Sequence, residues 1–174
     1  DLFDNLKVDS IVHQGKKLGF KRDSNAVFID FESPLPKNKR TDITFYYSGN
    51  PIIAKRAPWD GGFVFTQDPE GKPWIATACQ GLGASAWWPN KDHQSDEPEE
   101  GMTIKVAVPN GLMNVSNGRF KGSTDLGNGY TRWDWEVVNP INNYNVALNI
   151  ADYAHFKDEY KGLSLDYYVL KENL

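Results

Sequence analysis

Alternation with a period of two constrains this chain more than any other feature. In "AVFIDF", Val27, Ile29 and Phe31 share one face, and in "DITFYY" so do Ile43, Phe45 and Tyr47. "MTIKVAV" sets Met102, Ile104, Val106 and Val108 together. "TRWDWEV" sets Thr131, Trp133, Trp135 and Val137 opposite Arg132, Asp134 and Glu136, and "NVALNI" and "LSLDYYVL" repeat the pattern. Successive side chains of a strand point to opposite faces, so such runs are half-buried strands. Between them lie turn residues: Gly15, Ser24-Asn25, Asp68 to Gly71, Pro109-Asn110-Gly111, Asn117-Gly118 and Gly127-Asn128-Gly129. Asn and Gly tolerate the positive φ that tight hairpin turns require. No window carries a 3.6-residue apolar repeat, and "GASAWW" offers at most one or two helical turns. The expected fold is all-β, about nine to eleven antiparallel strands in a β-sandwich or saddle-like sheet.

Two long segments interrupt the strands, Ser48 to Gly62 and Gly81 to Gly101, and long loops in compact domains are usually functional or interfacial. No repeat or linker divides the 174 residues, so residues 1–174 are expected to form a single β domain. Its net charge of −4 excludes the basic face that nucleic acid demands. No run reaches the roughly 18 apolar residues of a membrane helix. The single cysteine, Cys79, permits no internal disulfide; within "WIATACQ" it reads as a buried, inert thiol. The opening "DLFDNLKVDSI" has no Met and no signal-peptide pattern. Both ends read as cut, so a soluble protein is expected, any signal peptide would lie upstream, and the compartment is unknown.

Each constellation with chemical potential has a plain structural reading. His13, His93 and His155 lie in "HQGKK", "HQSDE" and "HFKDE", none of which has zinc-protease spacing. Ser85 lacks the Gly-x-Ser-x-Gly elbow, and "GLGAS" lacks the lysine of a phosphate loop. Asp92, Asp96, Glu97, Glu99 and Glu100 crowd one loop. Glycosidase chemistry needs two acids flanking a sugar, whereas such a run reads as a solvated or salt-bridged loop. Of the six tryptophans, Trp133 and Trp135 alternate with polar residues and read as core. Trp87 and Trp88 are adjacent, so an extended segment would send them opposite ways. Asn114-Val115-Ser116 is a glycosylation sequon, by itself a weak signal. From these residues alone the chain is a β-sandwich accessory or binding module, and a carbohydrate-binding module using its tryptophans is one version of that.

The stretch "ACQGLGASAWWPNKDHQSDEP", Ala78 to Pro98, goes further. It resembles a segment of the N-terminal domain of the gluzincin zinc aminopeptidases, the family of alanyl aminopeptidase and leukotriene hydrolase. There a Gln or Glu precedes an aromatic-Pro-x-x-Asp-Glu-Pro signature; here Gln80 stands nine residues before Pro89. "TIKVAVPNGLMNVSNGRF", "WEVVNPINNYNVALNIADY", "LKVDSI", "ITFYYSG" and "GGFVFTQDPEGKPWIATACQ" resemble further family segments in order, covering nearly the whole chain. The insertion "NKDHQS" departs from the signature and suggests a bacterial subgroup. Strands that the family has before "DLFDNL" are missing, which predicts an exposed sheet edge and edge-strand self-association. The Gly-x-Met-Glu-Asn motif and the zinc helix are also absent.

The resemblance implies a non-catalytic domain that caps a zinc-bearing catalytic domain, its partner, and helps to form the pocket for the N-terminus of a peptide substrate. It implies no metal and no catalytic residue within these 174 residues, the zinc belonging to the parent's catalytic domain. It carries over one substrate-binding residue, Gln80, whose amide oxygen would accept from the substrate ammonium. Gln94, in the same stretch but outside the motif position, is expected to be neutral.

Overall fold

A computed structural model of the chain describes residues 1–57 and 59–174. The chain is all-β, with fourteen strands among the described residues and only three single 3₁₀ turns. Among the described residues every ladder between strands is antiparallel, and one isolated bridge, Ile53 to Phe63, is parallel. The strand count exceeds nine to eleven because short pieces such as β2 (Lys16–Lys17) and β12 (Leu148–Ala151) are separate elements.

Five sheets are formed among the described residues. β1 (Leu6–His13) lies between β2 and β5 (Thr44–Gly49), and β3 (Gly19–Asp23) pairs with β4 (Ala26–Asp30). β6 (Gly62–Gln67), β7 (Pro73–Ala78), β12 and β9 (Met113–Ser116) form a four-stranded sheet in that order. β10 (Arg119–Asp125), β11 (Tyr130–Val137) and β8 (Met102–Pro109) form the next, with a register shift between Phe120 and Gly122. β13 (Tyr153–Tyr160) and β14 (Leu163–Leu170) make a two-stranded hairpin.

The alternating faces become two cores. Ile104, Val108, Trp135 and Val137 from β8 and β11 meet Val146, Leu148 and Ile150, with Trp87, Trp88 and Trp133 packed against them. Leu2, Leu6, Val8 and Ile11 form the second core with Phe20, Val27, Ile29, Ile43, Phe45 and Tyr47. The Tyr47 hydroxyl donates to Trp87 O at 2.9 Å, and Phe3 N donates to Ser85 O at 2.9 Å. The polar alternates of β11 pair with one another, Arg132 with Asp134 at 2.8 Å.

The turns fall where the glycines and asparagines put them. Gly15, Gly71, Gly111, Gly118, Gly127 and Gly129 all have positive φ, as does Ser24. One turn goes unmarked in the sequence pattern, that between β13 and β14, where Lys161 and Gly162 take φ of +50° and +82°. Lysine rarely accepts such a φ, so "KG" gives a weaker signal than "NG".

Near the N-terminus, where an exposed sheet edge is expected, the chain is engaged at several points. β2 pairs with Val12 and His13, and Leu18 N donates to Ile11 O. The Arg22 guanidinium donates to the carbonyls of Leu6 and Leu2. No helix is long and apolar enough to cross a membrane.

Candidate functional site

β7 ends at Ala78, and the chain turns at once. Gly83 N donates to Cys79 O at 2.8 Å, closing a turn that carries Gln80, Gly81 and Leu82. The turn leans on a glycine just before β6: a side chain on Gly61 would stand 2.7 Å from Ala78 O and would meet Leu82. Gln80 is exposed on this turn.

A 3₁₀ turn at Ala84–Ala86 follows, with Ser85 buried. Trp87 N and Trp88 N both donate back to Ala84 O, so the segment is coiled rather than extended. The helical turn allowed for "GASAWW" is what forms, so the divergence expected of an extended segment does not arise: both tryptophans pack on the larger core, their ring centroids 6.1 Å apart.

The acidic loop is held by named partners. Asp92 accepts from Ser85 N at 3.3 Å and from the Ser85 hydroxyl. Asp96 pairs with Lys91 at 3.1 Å and accepts from Asn143 Nδ2 at 2.9 Å. Lys91 holds the Asp96 carboxyl below the ordinary carboxylate range, with Asn143 assisting against the opposing effect of burial. Asn143 Nδ2 also donates to Lys91 O, and Asn142 Nδ2 to Gln94 O at 2.6 Å. Glu100 pairs with Arg40. Asp92, Asp96 and Glu100 are thus engaged in holding the loop, as expected of a salt-bridged loop.

The Gln80 turn and the acidic loop border one cleft of about 290 Å³. Gln80 to Gly83 line it on one stretch and Asp92, His93 and Gln94 on the other, with Tyr144 from the 3₁₀ turn Asn143–Asn145. Two glutamines and an aspartate therefore border a single space, residue types suited to a ligand rich in N–H donors. The sequence points to Gln80 and treats Gln94 as neutral; the fold brings the two together. "PINNYN" holds the missing signal, since paired asparagines make the side-chain-to-backbone bonds that anchor such loops.

The remaining candidates scatter. His13 bonds Thr41 Oγ1 at 2.8 Å, His93 bonds Ser95, and His155 pairs with Asp166 at 2.7 Å while stacking on Tyr168. Among the described residues, no three His, Cys, Asp or Glu side chains are placed to hold a metal ion. Cys79 is buried, and burial pushes its thiol pKa up to about 11. Asn114 of the sequon is fully buried, so the folded chain presents no acceptor there.

No protein-family model matches the sequence. No curated protein matches it significantly. Solved structures do match the fold. A point mutant of a two-domain M1 zinc metallopeptidase, bound to L-arginine, superposes with a TM-score of 0.78 at 18% identity, over 95% of this chain and 37% of that one. The M1 zinc metallopeptidase from Deinococcus radiodurans gives 0.77 at 18% identity, over 91% of this chain and 35% of that one. A point mutant of the same organism's enzyme gives 0.76 at 20% identity over the same shares. This chain therefore has the fold of part of these enzymes and spans a little over a third of their length.

Proposed function

We propose that residues 1–174 are one non-catalytic domain of a zinc aminopeptidase of the M1 kind, capping its catalytic domain and lending Gln80 to the pocket for a peptide's N-terminus. Two lines support the reading: the ordered sequence resemblance, and the fold shared with M1 zinc metallopeptidases across 95% of this chain. The observation that carries it for the site is the place of Gln80, exposed on a turn beside the very loop that bears the aromatic-Pro-acid signature.

The chemistry assigned to this chain is binding and orientation. A carboxamide oxygen accepts a hydrogen bond from an ammonium, and such a charge-assisted bond is typically worth about 1.5–3 kcal/mol. On this reading the zinc acts from the catalytic domain, and this chain contributes binding alone.

The runner-up, a carbohydrate-binding module, needs aromatic faces open to solvent. Trp87, Trp88, Trp133 and Trp135 are packed against the core, whereas Trp59, at 82% exposure, and Trp74, at 39%, face solvent. Four of the six tryptophans are thus engaged in packing rather than offered to a sugar. A glycan array separates the two readings.

The direct test is the reading frame downstream of Leu174. The proposal requires a Gly-x-Met-Glu-Asn segment and then His-Glu-x-x-His, the helical pair of zinc ligands with a general base between them. A frame that continues into an unrelated domain contradicts it.

A further inference from the structure

We propose that Asp92 is the positioning residue of the Gln80 cleft, a clip between the turn that carries Gln80 and the loop that carries Gln94, so that both side-chain amides serve one ligand. The proposal rests on reading Gln80 as a ligand contact. Among the described residues, every hydrogen bond between residues 79–85 and residues 91–96 ends on the Asp92 carboxylate. Its donor, Ser85, is only 1% exposed and therefore fixed in place.

The fit on the other side of the carboxylate is equally close. Gly83 has φ +98°, and a side chain there would stand 2.7 Å from Asp92 Oδ1. The carboxylate thus lies against the end of the Gln80 turn, where Gly83 N closes on Cys79 O. The loop that Asp92 belongs to is itself anchored, through Lys91 O and Gln94 O, to Asn143 and Asn142. Removing the carboxylate would leave each wall attached to the fold but not to the other.

Each carboxamide offers one acceptor oxygen and an NH₂ donor. Two of them on one cleft match a ligand with an ammonium donor beside a carbonyl acceptor, the chemistry of an α-amino amide. The spacing of the pair depends on both walls holding still, which is the role assigned to Asp92.

The test uses the 174-residue chain and L-alaninamide as probe, read by the side-chain amide signals of Gln80 and Gln94 in ¹⁵N-resolved NMR, with amide exchange read in parallel. In the wild-type chain both signals should shift along one saturating curve. Asp92→Ala should weaken that binding by about tenfold and speed exchange at the Gly83 amide by about tenfold, the cost of one charge-assisted bond, while core amides such as Val108 stay protected. Asp92→Asn, whose amide oxygen still accepts from Ser85, should bind within about threefold of wild type. Ser85→Ala, which removes only the hydroxyl donor, provides the same comparison should Asp92→Ala not fold.

Unchanged Gly83 exchange in Asp92→Ala overturns the clip. Asp92→Asn binding as poorly as Asp92→Ala overturns positioning in favour of a direct counter-charge. A Gln80 signal that shifts while Gln94 does not overturns the shared ligand and leaves the reading of Gln80 standing. A wild-type chain that ignores the probe overturns the shared ligand, whereas the reading of Gln80 stands or falls with the kinetics of the complete gene product.

Discussion

The Asp92 carboxylate occupies the space that a side chain on Gly83 would need, its Oδ1 2.7 Å from where that Cβ would lie. The backbone of Gly83, at φ +98° and ψ 157°, lies where L side chains are strained in any case. Gly83→Ala therefore combines backbone strain with displacement of Asp92 from Ser85 and should destabilise the chain by about 2–4 kcal/mol. Gly71→Ala, also at positive φ but with nothing within 4 Å of its added Cβ, isolates the strain and should cost about 1 kcal/mol. Urea unfolding of both variants measures the difference; equal losses would remove the steric role of Asp92.

Trp135 should be the costliest truncation in the larger core. It is 4% exposed, its Nε1 donates to Asn114 O at 3.0 Å, and its ring meets Phe120 and Tyr168. Trp135→Ala should lose about 3–5 kcal/mol. Trp135→Phe, which keeps an aromatic ring but not the donor, should lose about 1–3 kcal/mol. Denaturant midpoints at unchanged slope are the readout.

Cys79 should resist thiol reagents in the native state. It is 4% exposed, and burial raises its pKa to about 11, so only roughly one thiol in a thousand is ionised at pH 8. Labelling with a disulfide reagent should be slow in buffer and complete within minutes in 6 M guanidinium, a concentration chosen to exceed the usual unfolding range of about 1–5 M. Fast labelling of the folded chain would contradict the packing described for the end of β7.

Acid should loosen three ion-paired places together. Asp96 beside Lys91, Asp152 beside Lys171 and Lys72, and Asp166 beside His155 all have carboxyls held below the usual 3.8. A depressed folded-state pKa means that the stabilisation is fully present above the unfolded value and is lost as pH falls through the folded one. Tm should therefore change little through these groups from pH 7 to about 5 and fall steeply below about 4. Asp152→Asn should shrink the acid-induced drop; an identical pH profile would show that the pair with Lys171 and Lys72 does not contribute.

The strands were legible because burial acts on one face at a time: Ile104 and Val108, or Trp133 and Trp135, announce a face by spacing alone. The hairpin turns were legible because Gly and Asn mark positive φ, and Lys161-Gly162 escaped because lysine does not. Of the cleft's lining residues, the resemblance singled out only Gln80. Gln94 and Tyr144 reach the same cleft through the bonds of Asn142 and Asn143, contacts some fifty residues apart that no local pattern encodes. Trp87 and Trp88 defy the alternation rule for a related reason: their direction follows from the turn that Ala84 O accepts, not from strand geometry.

The central claim is that Gln80 contacts a peptide's N-terminus, and kinetics of the complete gene product test it most directly. Gln80→Ala should lower kcat/KM for aminoacyl substrates by about 10- to 150-fold, the equivalent of roughly 1.5–3 kcal/mol, with Tm unchanged. Gln80→Glu should retain more activity, because a carboxylate still accepts from an ammonium. Gln67→Ala, at the end of β6 and outside the cleft, should behave as wild type. Full activity of Gln80→Ala at normal stability would contradict the account and leave this chain a capping domain only.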